Sequence, residues 1–442
     1  MLERMFKLKE NNTTVSTEVV AGLTTFMTMA YILIVNPNIL SATGMDRGAV
    51  FTATALAAIV GTLLMALLAN YPFALAPGMG LNAYFAFTVV LSMGYSWQTA
   101  LTAVFIEGII FILLTATNVR EMLFNSIPLT LKSAVSAGIG LFIAFIGFQN
   151  AGIIVNNDAV LVGLGNVKSP VVLMAIIGII ITAILEAKKV KGSILIGILA
   201  TWVIGMIAQV TGIYVPNFET TFPVIPSAIM SVPPSIAPIA FQFDFSILGS
   251  FEIWVVVFAF LFVDLFDTLG TLIGVSEKAG FLNEKGELPN IKQALFADAI
   301  ATTFGACVGT STTTTFVESA AGVADGGRTG LTSVVTTIFF ALALLFSPVL
   351  LSVPAFATAP ALIIVGFFMM SSVTKIDFSD ITDAVPAFLA IIMMPLTYSI
   401  AEGIVAGIVS YTVLKVATGK SRDIHPILFV LCILFILKYI FV

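Results

Sequence analysis

The sequence predicts an all-α protein that crosses a membrane many times, and three observations support this prediction. Of the 442 residues, 59% are hydrophobic and 10% are charged, whereas soluble globular chains carry about 25% charged residues. The mean hydropathy is +1.10. Apolar runs of roughly 17–25 residues, the length of a bilayer-spanning helix, recur along the whole chain. This composition excludes a soluble enzyme, a disordered chain and a protein that binds nucleic acid.

The chain has few residues from which a metal site or a histidine-based catalytic site could be built. It contains two cysteines, Cys307 and Cys432, and one histidine, His425. Their positions match no metal-binding spacing and no disulfide framework. The sequence therefore predicts no metal, no cofactor and no enzymatic activity.

Fourteen apolar segments qualify as membrane spans. They lie at residues 18–40, 49–69, 72–93, 97–117, 132–150, 171–187, 192–211, 251–275, 291–308, 310–324, 330–350, 357–373, 380–398 and 400–417. A further apolar run at 426–441 is either an extra pass or a helix at the membrane interface.

The distribution of basic residues indicates the orientation. With the N-terminus in the cytoplasm, sixteen of the 19 Lys and Arg residues fall on the cytoplasmic side, and the other three are Arg47, Lys168 and Lys438. Cytoplasmic loops of membrane proteins carry such an excess of positive charge. The loop at 212–250 contains no Lys or Arg and is predicted to be external. We therefore expect an integral protein of the cytoplasmic membrane with its N-terminus inside.

Two broken segments at matching positions indicate an internal repeat of seven plus seven spans. The third segment of the first half contains Ala76-Pro77-Gly78-Met79-Gly80-Leu81-Asn82, and that of the second half contains Gly309-Thr310-Ser311-Thr312-Thr313-Thr314-Thr315. Pro and Gly interrupt a helix, so each segment is predicted to be a short strand followed by a half-helix. Ser126-Ile127-Pro128 also matches Ser352-Val353-Pro354 at an offset of 226, which pairs Gly140 with Gly366. An odd number of passes makes the repeats inverted, and the breaks mark the place of a central transport site.

Several carboxylates lie inside the predicted spans, where an ionisable group is costly and is a candidate for function. Asp264 and Asp267 lie one helical turn apart in segment eight, and Glu318 follows the threonine run of segment ten. We expect Asp264 and Glu318 to bind substrate or a proton, whereas Asp267 could instead bond to another helix. Asp298, in segment nine, is expected to hold segments together. Glu107 and Glu402 also lie in spans and have no firm assignment. Glu18 and Glu252 lie at span ends, where water is expected to reach them.

Four motifs resemble those of the nucleobase–cation symporter superfamily, and most closely its AzgA-like branch of purine permeases. They are Thr17–Tyr31, Gly78–Phe85, Phe262–Thr268 and Thr314–Val323. The resemblance extends over nearly the whole chain. It implies a core domain (residues 1–125 and 251–350), a gate domain (126–211 and 351–442) and the external loop 212–250.

The resemblance also implies a substrate site. An acid of segment eight, taken as Asp264, and Glu318 would bind the base, with contributions from the remaining expected site residues, Asn82, Ala83, Tyr84 and Thr315. The histidine that the uracil and xanthine branches carry near segment eight has no counterpart here, which favours purines over uracil. The expected proton-coupling residues are Asp264, Asp267 and Glu318.

The expected function is proton-coupled uptake of guanine and hypoxanthine across the cytoplasmic membrane. Both bases carry an N1–H donor that a carboxylate such as Glu318 could accept. An adenine permease of the same family, sodium coupling and a homodimer remain open alternatives. An anion transporter of similar architecture ranks lower, because segments three, eight and ten contain no Lys or Arg. The expected partners are thus a purine base, protons and the lipid bilayer.

Overall fold

Helices dominate the computed structural model, which describes residues 2–117, 127–215, 224–283 and 288–441. The domain boundary predicted between residues 125 and 126 lies outside the described residues, as do Ser126, Arg120 and Lys285. The elements of the first half are α1 (Leu2–Phe6), α2 (Val15–Met29), α3 (Ile32–Ser41), α4 (Arg47–Leu64), β1 (Leu75–Pro77), α5 (Met79–Ala83), α6 (Trp97–Ala116), α7 (Leu129–Asn150), β2 (Ile154–Asn157), β3 (Leu161–Leu164), α8 (Pro170–Ala187) and α9 (Ser193–Val210). Two π-helical segments, Met65–Ala69 and Tyr84–Ser92, continue α4 and α5.

The second half also has a short strand followed by a half-helix, as the first half does at β1 and α5. It contains α10 (Phe251–Ala279), α11 (Ile291–Val308), β4 (Thr313–Thr315), α12 (Ser319–Ala324), α13 (Gly330–Ala343), α14 (Ser347–Leu351), α15 (Ala355–Met370), α16 (Ile381–Thr397), α17 (Ile400–Ala417) and α18 (Pro426–Phe441). Short 3₁₀ segments lie at Ser246–Gly249, Leu344–Phe346, Ser371–Lys375 and Ser421–Asp423. Each of the fourteen predicted spans overlaps at least one of these helices.

Ten helical stretches of the described chain are long and apolar enough to cross a membrane, beginning with Val15–Ser41 and ending with Ile400–Ala417. Three shorter apolar helices are Met79–Ser92, Ile381–Thr397 and Pro426–Ile436. The predicted fold class, a helical polytopic membrane protein with strands in two broken segments, is confirmed. The count of fourteen passes stays a prediction.

The two broken segments meet as an antiparallel pair of strands. Strand β1 pairs with β4 in the register Leu75↔Thr315, Ala76↔Thr314 and Pro77↔Thr313. Gly78 N–H donates to the Thr312 carbonyl at 3.0 Å. Hydrogen-bonded pairs alternate along an antiparallel ladder, so the Pro77 pair falls between two bonded pairs. Proline, which has no N–H, is therefore accommodated within this strand.

The outer edges of both strands are satisfied by threonine side chains. The Thr62 hydroxyl accepts from Leu75 N–H at 3.0 Å and donates to the Leu75 carbonyl at 3.1 Å. On the other strand, the Thr302 hydroxyl donates to the Thr313 carbonyl at 2.9 Å. Because the hydrocarbon region supplies no water to exposed peptide groups, these threonines stabilise an extended chain inside the helical protein.

The helices α7 and α15 are related as the repeat predicts. Pro128 and Pro354 each immediately precede their helix. A Cβ atom added to Gly140 would lie 2.5 Å from the carbonyl oxygen of Gly366, and one added to Gly366 would lie 2.5 Å from that of Gly140. This reciprocal contact is the geometry of a two-fold relation between the halves, and it requires glycine at both positions.

Two acids at span ends differ from each other in their surroundings. Glu252 is exposed, as expected, and accepts a hydrogen bond from the Tyr95 hydroxyl at 2.5 Å. Glu18 was expected to meet water, and this expectation is wrong, because its side chain is fully buried. It accepts bonds at the start of α13 from Arg328 N–H at 2.9 Å and from the Thr332 hydroxyl at 2.7 Å. Its carboxylate thus satisfies backbone donors at a helix N-terminus, where negative charge is favourable.

Candidate functional site

A cluster of polar side chains joins segments eight, nine and ten beside the paired strands. The hydroxyl oxygen of Thr268 lies 3.1 Å from Asp264 Oδ1, 2.6 Å from Asp298 Oδ1 and 2.7 Å from the Thr314 hydroxyl. We call Asp264, Thr268, Asp298 and Thr314 the threonine–aspartate cluster. All four residues are buried. Because a hydroxyl carries one hydrogen, Thr268 can donate to only one of the two carboxylates at a time.

Asp267 lies on the same helix as Asp264 but faces the half-helix of segment three. Its Oδ2 atom is 3.8 Å from the position that a Cβ atom on Gly80 would occupy. The side chain of Asp267 is half-buried. Segment eight thus presents one acid to the threonine–aspartate cluster and another to the half-helix that begins at Met79.

Glu318 lies where strand β4 ends and α12 begins. Its side chain is half-buried, and its Oε1 atom accepts a hydrogen bond from the Tyr31 hydroxyl at 2.6 Å. We call these two residues the tyrosine–glutamate pair. Glu318 lies four positions after Thr314, so their Cα atoms are at most about 14 Å apart. The pair and the threonine–aspartate cluster are therefore near neighbours along one segment.

The residues expected in segment three lie on the half-helix itself. Asn82 is fully buried and accepts a hydrogen bond from the Ser311 hydroxyl, which ties the half-helix to the run before β4. Ala83 is buried, and the ring of Tyr84 packs edge-on against Phe260 of α10 with centroids 4.8 Å apart. These side chains are thus fixed by contacts with the second half of the chain.

Thr315 lies on the opposite face of its strand from the cluster. Side chains alternate along a strand, and it is Thr314 whose hydroxyl contacts Thr268. The hydroxyl of Thr315 is buried and has no hydrogen-bond partner in the described part of the chain. The expected role of Thr315 in binding substrate stays a prediction, and Thr314 is the neighbour that the structure places at the cluster.

Sequence reasoning missed two interactions of the site. Tyr31 was noted only as part of a motif, although Thr24, Thr28 and Tyr31 follow the three-to-four-residue spacing of one helix face. The sequence assigns no role to Glu107, and the structure shows that it accepts a hydrogen bond from the Thr312 hydroxyl at 2.6 Å. In the sequence, this second contact is indicated only by an acid inside one span and a run of threonines inside another.

Asp298 receives a hydrogen bond from Thr268 on segment eight. This contact joins segments eight and nine, and the structural role expected for Asp298 stays a prediction.

These features define the class of the protein. Buried acids beside two broken segments from opposite halves, in a helical membrane fold, are characteristic of a transporter. The fold is shared with the transmembrane domain of the cyanobacterial bicarbonate transporter BicA, with a TM-score of 0.64 over 89% of this chain and 97% of that one, at 14% sequence identity.

Sequence comparison identifies the family. A model of the permease family (Xan_ur_permease) matches residues 16–406, and the chain belongs to this family of nucleobase–cation symporters. Guanine/hypoxanthine permease PbuG of Bacillus subtilis is 48% identical over 100% of both chains. Adenine permease AdeP of Escherichia coli is 45% identical over 100% of this chain and 96% of that one. The expected family is thereby confirmed, and the protein is a permease rather than an enzyme.

Proposed function

We propose that this permease takes up guanine and hypoxanthine by coupling them to protons. The observation that supports this most directly is the Glu318 carboxylate, half-buried at the break of segment ten and oriented by Tyr31 at 2.6 Å. A carboxylate is an acceptor only, and hypoxanthine and guanine each offer an N1–H donor. The similarity to PbuG over the full length of both chains supports the same substrates.

Adenine is the second candidate, because AdeP is nearly as similar to this chain as PbuG is. The N1 atom of adenine accepts and its 6-amino group donates, so adenine would need a protonated acid at the position that binds N1. A carboxylate that remains ionised favours hypoxanthine over adenine for this reason.

Binding of hypoxanthine, guanine, adenine and uracil to the purified protein, measured across pH 5 to 8, tests the choice of substrate. We expect the first two bases to bind tightly and uracil to bind weakly. Tight binding of adenine alone would show that adenine, and not guanine or hypoxanthine, is the substrate. In a separate assay of radiolabelled guanine uptake, inhibition by sulfate but by no nucleobase would overturn the proposal and favour an anion transporter.

Proton coupling is proposed for Asp264, Asp267 and Glu318. Asp264 shares the Thr268 hydroxyl with Asp298, so protonation of one carboxylate adds a donor to the cluster, and this donor is lost as pH rises. Binding of the base should therefore weaken as pH rises. In proteoliposomes, an imposed proton gradient should drive accumulation in sodium-free buffer, and accumulation that instead requires a sodium gradient would contradict proton coupling.

The proposed transport cycle moves a core domain (1–125 and 251–350) against a gate domain (126–211 and 351–442). In this proposal Asn82, Ala83, Tyr84 and Thr315 line the substrate site on the core side. The N-terminus is proposed to lie in the cytoplasm. Single cysteines introduced at Lys9 and Lys168, with Cys307 and Cys432 replaced by serine, test this orientation. An impermeant thiol reagent applied to intact cells should label only the cysteine at position 168.

A further inference from the structure

We propose that Tyr31 is a positioning residue that holds the Glu318 carboxylate in the orientation that accepts the N1–H of the purine. This inference rests on the proposed function, since it specifies how the same carboxylate selects its substrate. Tyr31 donates to Oε1 at 2.6 Å, and among the described residues no other side chain donates a hydrogen bond to this carboxylate. One oxygen is therefore held by the protein, while the other is left to a ligand.

Both members of the tyrosine–glutamate pair lie at interruptions of regular structure. Tyr31 lies at the junction of two helices, between the end of α2 at Met29 and the start of α3 at Ile32. Glu318 lies between β4 and α12. At such a junction the backbone changes direction, so the side chain can point toward a carboxylate that it would not face from within a continuous helix. The two junctions lie in different halves of the chain, so the bond between them fixes one half relative to the other at the site.

The helices that adjoin the pair, α2 and α12, are in close contact, and this contact keeps the distance between Tyr31 and Glu318 constant. A Cβ atom on Gly322 of α12 would lie 2.0 Å from the Thr25 hydroxyl and 2.7 Å from the Ala21 carbonyl oxygen. The Thr28 hydroxyl also lies 3.4 Å from the Glu318 carbonyl oxygen. Because Tyr31 is fully buried, its ring has little freedom to follow a carboxylate that rotates. Its hydroxyl therefore sets the plane of the Glu318 carboxylate.

The chemical consequence is a preorganised acceptor. A glutamate side chain loses rotamer freedom when it binds a ligand, and an orientation fixed in advance avoids that cost. The phenol hydroxyl binds one oxygen of the carboxylate and leaves the other oxygen as the acceptor for N1–H. A base that has N1–H benefits from this arrangement, and a base whose N1 is methylated cannot.

The variant Tyr31→Phe tests the proposal, because it keeps the ring and removes only the hydroxyl. We expect the KM for hypoxanthine uptake to rise about tenfold, which corresponds to about 1.4 kcal/mol, with Vmax changed less than twofold. The weak binding of 1-methylhypoxanthine should stay as it is in the parent protein. The preference for hypoxanthine over the methylated base thus falls about tenfold.

The matched control is Tyr95→Phe. Tyr95 also donates to a glutamate, Glu252, but this pair is exposed at a span end, so the KM for hypoxanthine should be unchanged. If Tyr31 were only a structural contact, Tyr31→Phe would lower the yield and thermal stability of the protein and would affect both bases equally. An unchanged preference between the two bases would overturn the proposal.

A double variant separates this inference from the proposed function. If Tyr31 acts through Glu318, adding Tyr31→Phe to Glu318→Gln should not weaken hypoxanthine binding beyond Glu318→Gln alone. A full tenfold further loss would overturn the positioning role while leaving Glu318 as a binding residue. Absence of hypoxanthine binding by the parent protein would instead overturn the proposed function itself.

Discussion

Glu318→Gln should convert the key acceptor of the site into a donor. In the parent protein, Tyr31 donates to Oε1 at 2.6 Å. The phenol remains a donor in the variant, so the amide oxygen of glutamine should occupy the Oε1 position and the NH₂ group the Oε2 position. The NH₂ group would then face the N1–H of hypoxanthine, with a donor opposite a donor.

The expected loss follows from two contributions. A hydrogen bond to a charged group contributes about 1.5–3 kcal/mol, and a buried donor left without an acceptor costs about 1–3 kcal/mol. The sum is at least about 2.5 kcal/mol, and each 1.4 kcal/mol is a factor of ten in affinity. The Kd for hypoxanthine should therefore rise about a hundredfold. Adenine, whose N1 accepts, should lose less, which shifts the preference toward adenine by at least about tenfold.

Titration calorimetry on the purified variant measures both affinities. The control is Glu252→Gln, which removes a carboxylate beside a tyrosine donor, Tyr95, away from the site. This control should bind hypoxanthine with the parent affinity. Parent affinity for hypoxanthine in Glu318→Gln would refute the reasoning, and so would equal losses for hypoxanthine and adenine.

Three further outcomes are expected. Asp264→Asn should abolish proton-driven accumulation of hypoxanthine in proteoliposomes, and accumulation that persists and still collapses with an uncoupler would count against Asp264. Gly140→Ala should lower the yield and melting temperature, because its Cβ would lie 2.5 Å from a carbonyl oxygen of the opposite helix, whereas Gly249→Ala, with no atom within 4 Å, should change neither. Lys420 donates to Asp380 at 2.7 Å, which raises the pKa of this lysine. The stability that this bond contributes is fully present below the ordinary lysine pKa of about 10.4 and is lost only as pH rises through the raised value, so Lys420→Met should leave the pH profile of binding between 5 and 8 unchanged.

The sequence predicts the architecture well because membrane spans depend on a simple property, the length of an apolar run. The breaks in segments three and ten were also predictable. Pro77 and its neighbouring glycines cannot continue a helix, and the residues from Thr312 to Thr315 favour an extended chain. The pairing of the two breaks follows from the need to satisfy backbone groups where water is absent.

The partners of individual side chains could not be predicted in the same way. Asp264 and Thr268 lie four positions apart on one helix, so their contact follows from helical spacing. The register in which segments eight and nine pack decides that Asp298 also reaches Thr268. Tyr31 meets Glu318 only because α2 and α12 approach each other closely at Gly322. Such contacts depend on distances of a few ångströms between elements that are far apart in sequence, and apolar patterning does not encode them.

The threonine run of segment ten connects the acids to the backbone pairing of the repeat. Because side chains alternate along a strand, Thr312 and Thr314 project to one face, where their hydroxyls contact Glu107 and Thr268. The Thr313 hydroxyl belongs to the other face, which packs on segment nine, since it lies 2.8 Å from where a Cβ atom on Gly305 would be. A displacement of this strand would therefore break its ladder with β1 together with the Thr314–Thr268 contact and the neighbouring Thr312–Glu107 bond. We therefore expect a change in the protonation of the threonine–aspartate cluster to be coupled to movement of the broken segments through Thr314.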